Sequence, residues 1–144
     1  MTLFEVQQEI IEEFALFGDD WEQKYEHLIQ MGKDLTPLLE AEKSDEKLIK
    51  GCQSKVWLQS EWKDSLVYFR ADSDAIIAKG IVALVIRVLN GRTSSEISSS
   101  DFEFLNTIGL TSHLSPTRAN GLLSMIRQMK LDASVLEAHY SQRK

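Results

Sequence analysis

The sequence of 144 residues contains a single cysteine, Cys52, and that scarcity excludes several kinds of chemistry. One thiol cannot form a disulfide within its own chain, and it cannot resolve its own oxidation. Zinc and iron–sulfur sites normally take three or four ligands, so a cysteine-rich metal cluster built by this chain alone is also excluded. A reactive Cys52 would therefore exchange something with another molecule.

Positive charge and long apolar runs are also scarce. The formal net charge of −6 repels phosphate backbones and anionic lipid headgroups, so neither nucleic acid nor a membrane is an expected partner. The most apolar stretch, 75–89, is interrupted by Lys79 and Arg87 and is shorter than the ~20 residues of a membrane span. Residues 1–13 carry acids and no arginine, unlike a secretory signal or a transit peptide. Together with the lone cysteine, these features predict a cytoplasmic protein.

The composition is otherwise that of an ordinary folded protein, with 43% hydrophobic and 26% charged residues. The length fits one domain over residues 1–144, and no internal repeat or low-complexity segment is visible. Apolar residues at helical spacing predict a first helix over 6–17. Asp19, with Glu22 three residues later, predicts the N-cap of a second helix. A solvated loop is then expected over 33–47.

A hairpin and further helices follow the loop. Alternating apolar residues predict strands over 54–60 and 65–70 joined by a turn at 61–64, with a short edge strand at 48–49. The segment 75–89 is then the central buried helix. This order of elements predicts an α+β fold, in which a small antiparallel sheet of about three strands packs against helices.

Capping signals predict where the later helices start. The acids of Asp72-Ser73-Asp74 are interpreted as caps of the central helix rather than as a catalytic carboxylate pair. The last helix either runs to His139 or breaks near Lys130. Two capping boxes and one Ser-Pro start are present: Thr93 with Glu96, Ser100 with Glu103, and Ser115 with Pro116.

The immediate surroundings of Cys52 favour chemistry over packing. Free cysteine is usually a small buried hydrophobe. Gly51 before it and Gln53-Ser54 after it are unlike the neighbours of a cysteine inside a strand, which indicates a loop. Lys50 and Lys55 flank it, and positive charge favours the nucleophilic thiolate. The sequence therefore predicts a reactive loop thiol with a modestly stabilised thiolate.

Other chemistry has weaker support. A Cys–His hydrolase needs a base within hydrogen-bond reach, and no local signature ties any histidine to Cys52. Arg118 lies in the first turn of the last helix, where a cation opposes the helix dipole, which indicates an acidic partner on a nearby loop or another protein. A stand-alone cysteine hydrolase or thiol oxidoreductase and a non-catalytic adaptor remain the alternatives. The histidines are His27, His113 and His139.

Three segments, in this order, resemble the SufE family. They are Gly-Cys-Gln-Ser-Lys-Val-Trp at 51–57, Ala-Asp-Ser-Asp-Ala at 71–75, and His-Leu-Ser-Pro-Thr-Arg-Ala-Asn-Gly-Leu at 113–122. The resemblance spans nearly the whole chain, and Gln53-Ser54 is more similar to SufE itself than to its paralogue CsdE. It implies a SufE/IscU-like two-layer fold, with helices backing a small sheet and the cysteine on a loop at one end.

The resemblance also implies a function. A SufS-like cysteine desulfurase, dependent on pyridoxal phosphate, would hold sulfur as a persulfide. Cys52 would accept that sulfur, which would activate the desulfurase. The chain would then deliver the sulfur to a SufBCD-like iron–sulfur scaffold. The cofactor would belong to the desulfurase, with no cofactor or metal in this chain. This would be a sulfur-transfer protein rather than a stand-alone enzyme, and a CsdE-like acceptor for a different desulfurase is the alternative. Supporting or partner-interface roles are implied for Gly51, Gln53, Ser54, Asp74 and Arg118.

Overall fold

The computed structural model describes residues 1–141, so the last three residues of the predicted domain lie outside the described residues. Within that range the chain forms two helices, a hairpin and five more helices. Two short 3-10 turns, Glu40–Glu42 and Asp45–Lys47, precede the hairpin. The elements are α1 (Leu3–Ala15), α2 (Trp21–Asp34), β1 (Val56–Lys63), β2 (Leu66–Ser73), α3 (Ile76–Leu89), α4 (Ser94–Ser99), α5 (Phe104–Thr107), α6 (Leu110–His113) and α7 (Pro116–Ser141).

The sheet is a single antiparallel hairpin in the described part of the chain. β1 and β2 pair in register from Val56 opposite Ser73 to Lys63 opposite Leu66. Asp64 and Ser65 form the turn with φ of 54° and 65°, a pair of left-handed residues that suits the right-handed twist of a two-residue hairpin. The predicted turn at 61–64 was therefore too long, because both strands continue towards the tip.

The predicted α+β class is confirmed, but the expected third strand is not formed. Leu48 makes one isolated bridge to Trp57, so the sheet over residues 1–141 has two strands instead of about three. Ile49 is buried against the core, and the chain turns away at Lys50 and Gly51 before a ladder can extend.

α3 is the centre of the molecule. Its residues from Gly80 to Leu89 are all buried except Arg87, and the helix packs against α1, α2, α7 and β2. The approach of α2 is so close that a Cβ on Gly80 would lie 2.3 Å from the carbonyl oxygen of Leu28. A glycine at this position is therefore required for the two helices to pack at this distance. Among residues 1–141, no helix has the length and apolarity to cross a membrane.

Helix starts agree only in part with the capping signals. The Thr93–Glu96 box is formed, whereas α2 is capped by Asp20, whose carboxylate accepts a hydrogen bond from the Gln23 N–H, and not by Asp19. Ser100 and Glu103 form no capping box, because the Glu103 N–H donates its hydrogen bond to the Asp101 carboxylate instead.

The Ser115 start is confirmed. The Ser115 hydroxyl accepts a hydrogen bond from the Arg118 N–H at 3.3 Å. From there α7 continues without a break past Lys130 and His139 to Ser141. The structure therefore resolves the two alternatives for the last helix in favour of the continuous one.

The capping interpretation of Asp72 is wrong. Asp72 is a buried residue of β2, and α3 starts after Ala75 without a side-chain cap. The Asp72 carboxylate accepts hydrogen bonds from the N–H groups of Leu38 and Ser73. It also pairs with Lys43 and Lys79 at 3.5 and 3.3 Å. Asp72 therefore anchors the segment 33–47, which is partly packed through buried Leu38 rather than a fully solvated loop.

Candidate functional site

The cysteine loop, residues 49–55, leaves and rejoins the protein at the end of the hairpin. The two ends of the loop are joined where the Ile49 N–H donates a hydrogen bond to the carbonyl of Val56 at 2.9 Å, next to the bridge between Leu48 and Trp57. Two adjacent main-chain contacts therefore fix both ends of the loop on β1.

Asp74 holds the other side of the loop base. Its carboxylate accepts a hydrogen bond from the Lys55 N–H at 3.0 Å, while its own N–H donates to the Lys55 carbonyl at 3.2 Å. The Ser73 hydroxyl donates to the same carbonyl at 2.7 Å. Asp74 is exposed, yet it ties the end of β2 to the cysteine loop.

Gly51 lets the loop lie against α7. Its φ is +90°, and a Cβ there would lie 2.5 Å from the hydroxyl oxygen of Ser124. Glycine meets both requirements, because it adopts positive φ freely and has no side chain to collide with the helix. Gly51 therefore shapes the loop from the side facing Ser124.

The thiol of Cys52 points between α3 and α7. It is half-buried, and it donates a hydrogen bond to the main-chain carbonyl of Gly121 at 3.5 Å. Beside it is a cavity of about 90 Å³, whose walls come from the cysteine loop, from the first turns of α3 and from α7. A water molecule occupies about 30 Å³ in the liquid, so the cavity has room for a few groups of that size. The lining residues include Cys52, Gln53, Ser54, Ala78, Arg118 and Met125.

The electrostatic setting of Cys52 differs from the sequence-based prediction. Burial raises the pKa of the Cys52 thiol, and no positive charge among residues 1–141 offsets it. Lys50 and Lys55 are both exposed, and water screens charges on such side chains effectively. The hydrogen bond to Gly121 also uses the thiol proton, which favours the neutral form. The predicted stabilisation of the thiolate is therefore wrong for this conformation.

The residues singled out from the sequence occupy three places around the loop. Gln53, Ser54 and Arg118 line the cavity with Cys52, whereas Gly51 faces Ser124 and Asp74 lies at the loop base. Arg118 is exposed and forms no ion pair with residues 1–141, so the acid expected opposite it is not in this part of the chain.

Apart from Arg118, sequence reasoning missed the part of the cavity wall that α7 provides. Thr117, Gly121 and Met125 line the cavity on one stripe of the helix, at the four-residue spacing that places side chains on one face. That spacing is visible in the sequence. The sequence gives no sign that this stripe faces Cys52, because Cys52 and its hydrogen-bond partner Gly121 are 69 residues apart in the chain.

The histidines lie elsewhere. His27 packs against Phe14 and contacts the Glu13 carboxylate at 3.0 Å, and His113 stacks on Trp21. His139 is exposed near the end of α7. None lines the cavity, so the described residues supply no imidazole base to the thiol. Within residues 1–141, no three His, Cys, Asp or Glu side chains group in a way that could hold a metal ion.

Comparisons with known proteins agree on one family. Residues 8–133 match the family model described as "SufE: Fe-S metabolism associated domain". An uncharacterized SufE-like protein of Rhizobium meliloti is 42% identical over 130 residues, covering 87% of this chain and 92% of the relative. A second, from Rhizobium etli, is 39% identical over 135 residues, covering 90% of each chain. The solution structure of a hypothetical protein from Thermus thermophilus shares the fold, with a TM-score of 0.74 at 15% identity over 90% of this chain and 93% of that one.

Proposed function

Because this chain belongs to the SufE family, we propose that Cys52 accepts sulfur as a persulfide from a cysteine desulfurase. Family membership gives the chain a sulfur-transfer role in iron–sulfur metabolism and an interaction with a cysteine desulfurase. The proposal adds the atom that carries the sulfur, the SufS-like identity of the desulfurase, and delivery to a SufBCD-like scaffold. It also places the protein in the cytoplasm, where a reducing environment keeps a lone thiol available.

The observation that carries the proposal is the cavity beside the Cys52 thiol. A carrier of persulfide sulfur needs space for one more sulfur atom, with shelter from oxidants and from other thiols. The cavity of about 90 Å³ offers that space next to Sγ, under the cover of α3 and α7. Its wall contains apolar side chains such as Ala78, Ile81 and Met125, which keep the outer sulfur from bulk water.

The transfer is an exchange between two sulfur centres. The Cys52 thiolate attacks the outer sulfur of the desulfurase persulfide, a new S–S bond forms on Cys52, and the S–S bond of the partner breaks. The desulfurase cysteine leaves as a thiolate, so electrons balance without an added oxidant or reductant. Removing its sulfur frees the desulfurase for another turnover, which accounts for activation. The lack of other cysteines leaves the persulfide on Cys52 with no thiol of its own chain to attack it.

The sheltered thiol must move to react. In the conformation described, burial raises the pKa of Cys52 and the thiol donates a hydrogen bond to the Gly121 carbonyl, so both shelter and protonation oppose nucleophilic attack. We therefore propose that the cysteine loop has a sheltered state and an extended state, and that the desulfurase binds the extended state better. Amide hydrogen exchange over residues 51–54 should speed up when the desulfurase is added, and an unchanged rate would contradict this part of the proposal.

Intact-mass measurement tests the acceptor role. The chain is incubated with a SufS-like desulfurase and free cysteine without reductant, and it should gain one sulfur atom. A Cys52→Ser variant should gain none and should stimulate the desulfurase less. Equal stimulation by both proteins would favour a non-catalytic adaptor, and turnover without any desulfurase would favour a stand-alone enzyme. Repeating the assay with the desulfurase of a CsdE-type system shows which partner is preferred.

A further inference from the structure

A second, open cavity of about 170 Å³ adjoins the cysteine loop beside α7, and we call it the basic notch. Gly51 lies against Ser124 of the notch, and the next residue, Cys52, donates a hydrogen bond to Gly121 one helical turn earlier. Arg127, six residues after Gly121, lies about 9 Å further along the helix axis. A protein surface that covers Cys52 therefore also reaches the notch. The lining residues are Lys50, Ser124, Arg127, Gln128 and Leu131.

The two cations of the notch have no partner in the described part of the chain. Lys50 and Arg127 are exposed, and their side chains form no hydrogen bond or ion pair with residues 1–141. The acid that follows on α7 is already used, because the Asp132 carboxylate accepts hydrogen bonds from Ser60 and Gln128, both at 2.7 Å. No aspartate or glutamate is among the described lining residues of the notch. Both positive charges therefore face solvent.

Most arginines elsewhere in residues 1–141 are held by acceptors of the chain itself. Those that donate to carboxylate or carbonyl oxygens are Arg70, Arg87 and Arg92. The cations whose side chains have no partner among residues 1–141 are Lys33, Lys50, Lys55, Lys63, Arg118 and Arg127. Four of these six belong to the cysteine loop or line one of the two cavities beside it. In a chain of net charge −6, unpaired positive charge is thus concentrated around Cys52.

This concentration of charge indicates what binds there. We propose that the basic notch binds an acidic side chain, an aspartate or a glutamate, on the surface of the cysteine desulfurase. The inference rests on the proposed function, because it takes Cys52 as the point that the desulfurase approaches. A carboxylate can accept two parallel hydrogen bonds from the Arg127 guanidinium and pair with the Lys50 ammonium. Leu131, which is 56% exposed, offers an apolar contact beside this ionic one.

The notch gives the lysine at the start of the loop a role other than activation of the thiol. Water screens the exposed Lys50 in the free chain, so its charge has little effect on Cys52. Complementary charge at the edge of an interface acts mainly on the association rate and on the orientation of the two proteins. Lys50 and Arg127 are therefore positioning residues that orient the desulfurase over the loop and take no part in the sulfur exchange.

Carbodiimide coupling tests the contact directly, because it joins an amine only to a carboxylate that lies against it. The full chain with Cys52→Ser is mixed with a SufS-like desulfurase, and peptide mass spectrometry locates the new bonds. Lys50 should be joined to an aspartate or glutamate of the desulfurase, and position 127 should be joined as well in an Arg127→Lys variant. Lys63, at the far end of the hairpin, should not be joined. Bonds from the desulfurase to other lysines, with none at Lys50 or position 127, would overturn the proposal.

Charge-reversal variants in the same Cys52→Ser chain provide the matched comparison. Lys50→Glu with Arg127→Glu should slow association with the desulfurase about tenfold or more at low salt, and added salt should narrow the difference. Lys33→Glu with Lys63→Glu makes the same change in net charge at exposed positions that line neither cavity, and it should have little effect. Equal slowing by both pairs would overturn the proposal.

Two further results separate this inference from its alternatives. Covalent dimers of the chain joined through Lys50 in the absence of desulfurase would assign the notch to a second copy and overturn the proposal. Both measurements use Cys52→Ser, so their outcome does not depend on whether Cys52 accepts sulfur. The intact-mass assay on the wild type tests that role separately, and its failure leaves the coupling and the association rates to decide the notch.

Discussion

The thiol of Cys52 donates a hydrogen bond to the main-chain carbonyl of Gly121 across 3.5 Å. A Cβ on Gly121 would lie 3.6 Å from Sγ, an ordinary van der Waals contact, so a small side chain fits beside the thiol whereas a large one would displace it. The pair joins the cysteine loop to α7 and keeps the thiol at the mouth of the cavity. The same contact that shelters Cys52 keeps its proton in place, which is why we propose that the thiol reacts from a different position of the loop.

The first prediction concerns the pH dependence of Cys52 alkylation. Burial raises the pKa of the thiol, so reaction of the native protein with iodoacetamide should have a midpoint above that of a free cysteine, whose pKa is about 8.5. The same protein unfolded in urea should show the ordinary midpoint. A native midpoint at or below that of the unfolded chain would show that the flanking lysines outweigh burial.

A stability effect accompanies the raised pKa. The folded protein holds the thiol proton more tightly than the unfolded chain does, so the stabilising contribution is complete below the unfolded pKa and is lost as pH rises through the folded pKa. Urea unfolding at alkaline pH should therefore show a loss of stability that Cys52→Ser lacks. Parallel pH profiles for the two proteins would contradict the prediction.

The second prediction concerns the size of the side chain at position 121. Gly121→Ala should be tolerated, because its Cβ makes only ordinary contacts and alanine favours a helix by up to about 1 kcal/mol. Gly121→Leu should fill the cavity, cost about 1–3 kcal/mol through overpacking, and displace the Cys52 side chain. Alkylation of Cys52 at fixed pH should then be faster in the leucine variant than in the alanine variant. Equal rates would show that the cavity does not shelter the thiol.

Much of the local structure could be predicted from the sequence because its causes are local. The Thr93–Glu96 box, the Ser115 cap and the position of Cys52 on a loop all depend on residues a few positions apart. The prediction of an edge strand at 48–49 was wrong, because it relied on apolar character alone. Ile49 is buried and Leu48 only partly so, and burial of Ile49 in the core does not require a ladder of hydrogen bonds.

The parts that could not be predicted depend on long-range contacts. Asp72 was interpreted as a helix cap because its neighbours suited that role, yet its partners include Leu38 and Lys43, some 30 residues earlier in the chain. The direction of the Cys52 pKa shift was missed in the same way. The sequence shows the lysines beside the thiol, but only the packing of the loop between α3 and α7 reveals its burial.

The third prediction concerns the buried carboxylate of Asp72. Burial alone would raise its pKa, but hydrogen bonds from the Ser73 and Leu38 N–H groups and from Lys79 outweigh it, so the pKa of Asp72 is lowered. Asp72→Asn should cost about 2 kcal/mol at neutral pH, less than the 3–5 kcal/mol of a fully buried pair, because both lysines reach solvent. Urea unfolding measures this cost. Asp45→Asn, at an exposed position, should change stability by less than about 0.5 kcal/mol.

The dependence of stability on acid pH provides an independent check on the charge of Asp72. A lowered pKa gives a contribution that is present above the unfolded pKa and is lost as pH falls through the folded pKa. The difference in stability between the wild type and Asp72→Asn should therefore narrow as pH falls below about 4. A difference that stays constant at low pH would assign the cost to altered packing instead of charge.

The last prediction concerns Gly51, whose φ of +90° and contact with Ser124 shape the cysteine loop. Gly51→Ala should lower stability by about 1–2 kcal/mol, because an L-residue is strained at positive φ. The loop should also shift away from α7, since the new Cβ would lie 2.5 Å from the Ser124 hydroxyl oxygen, and Cys52 should be alkylated faster. Gly18→Ala is the matched control, because Gly18 also has positive φ but a Cβ there meets no atom within 4 Å. It should lose stability without any change in thiol reactivity, and equal alkylation rates in both variants would show that Gly51 does not set the position of Cys52.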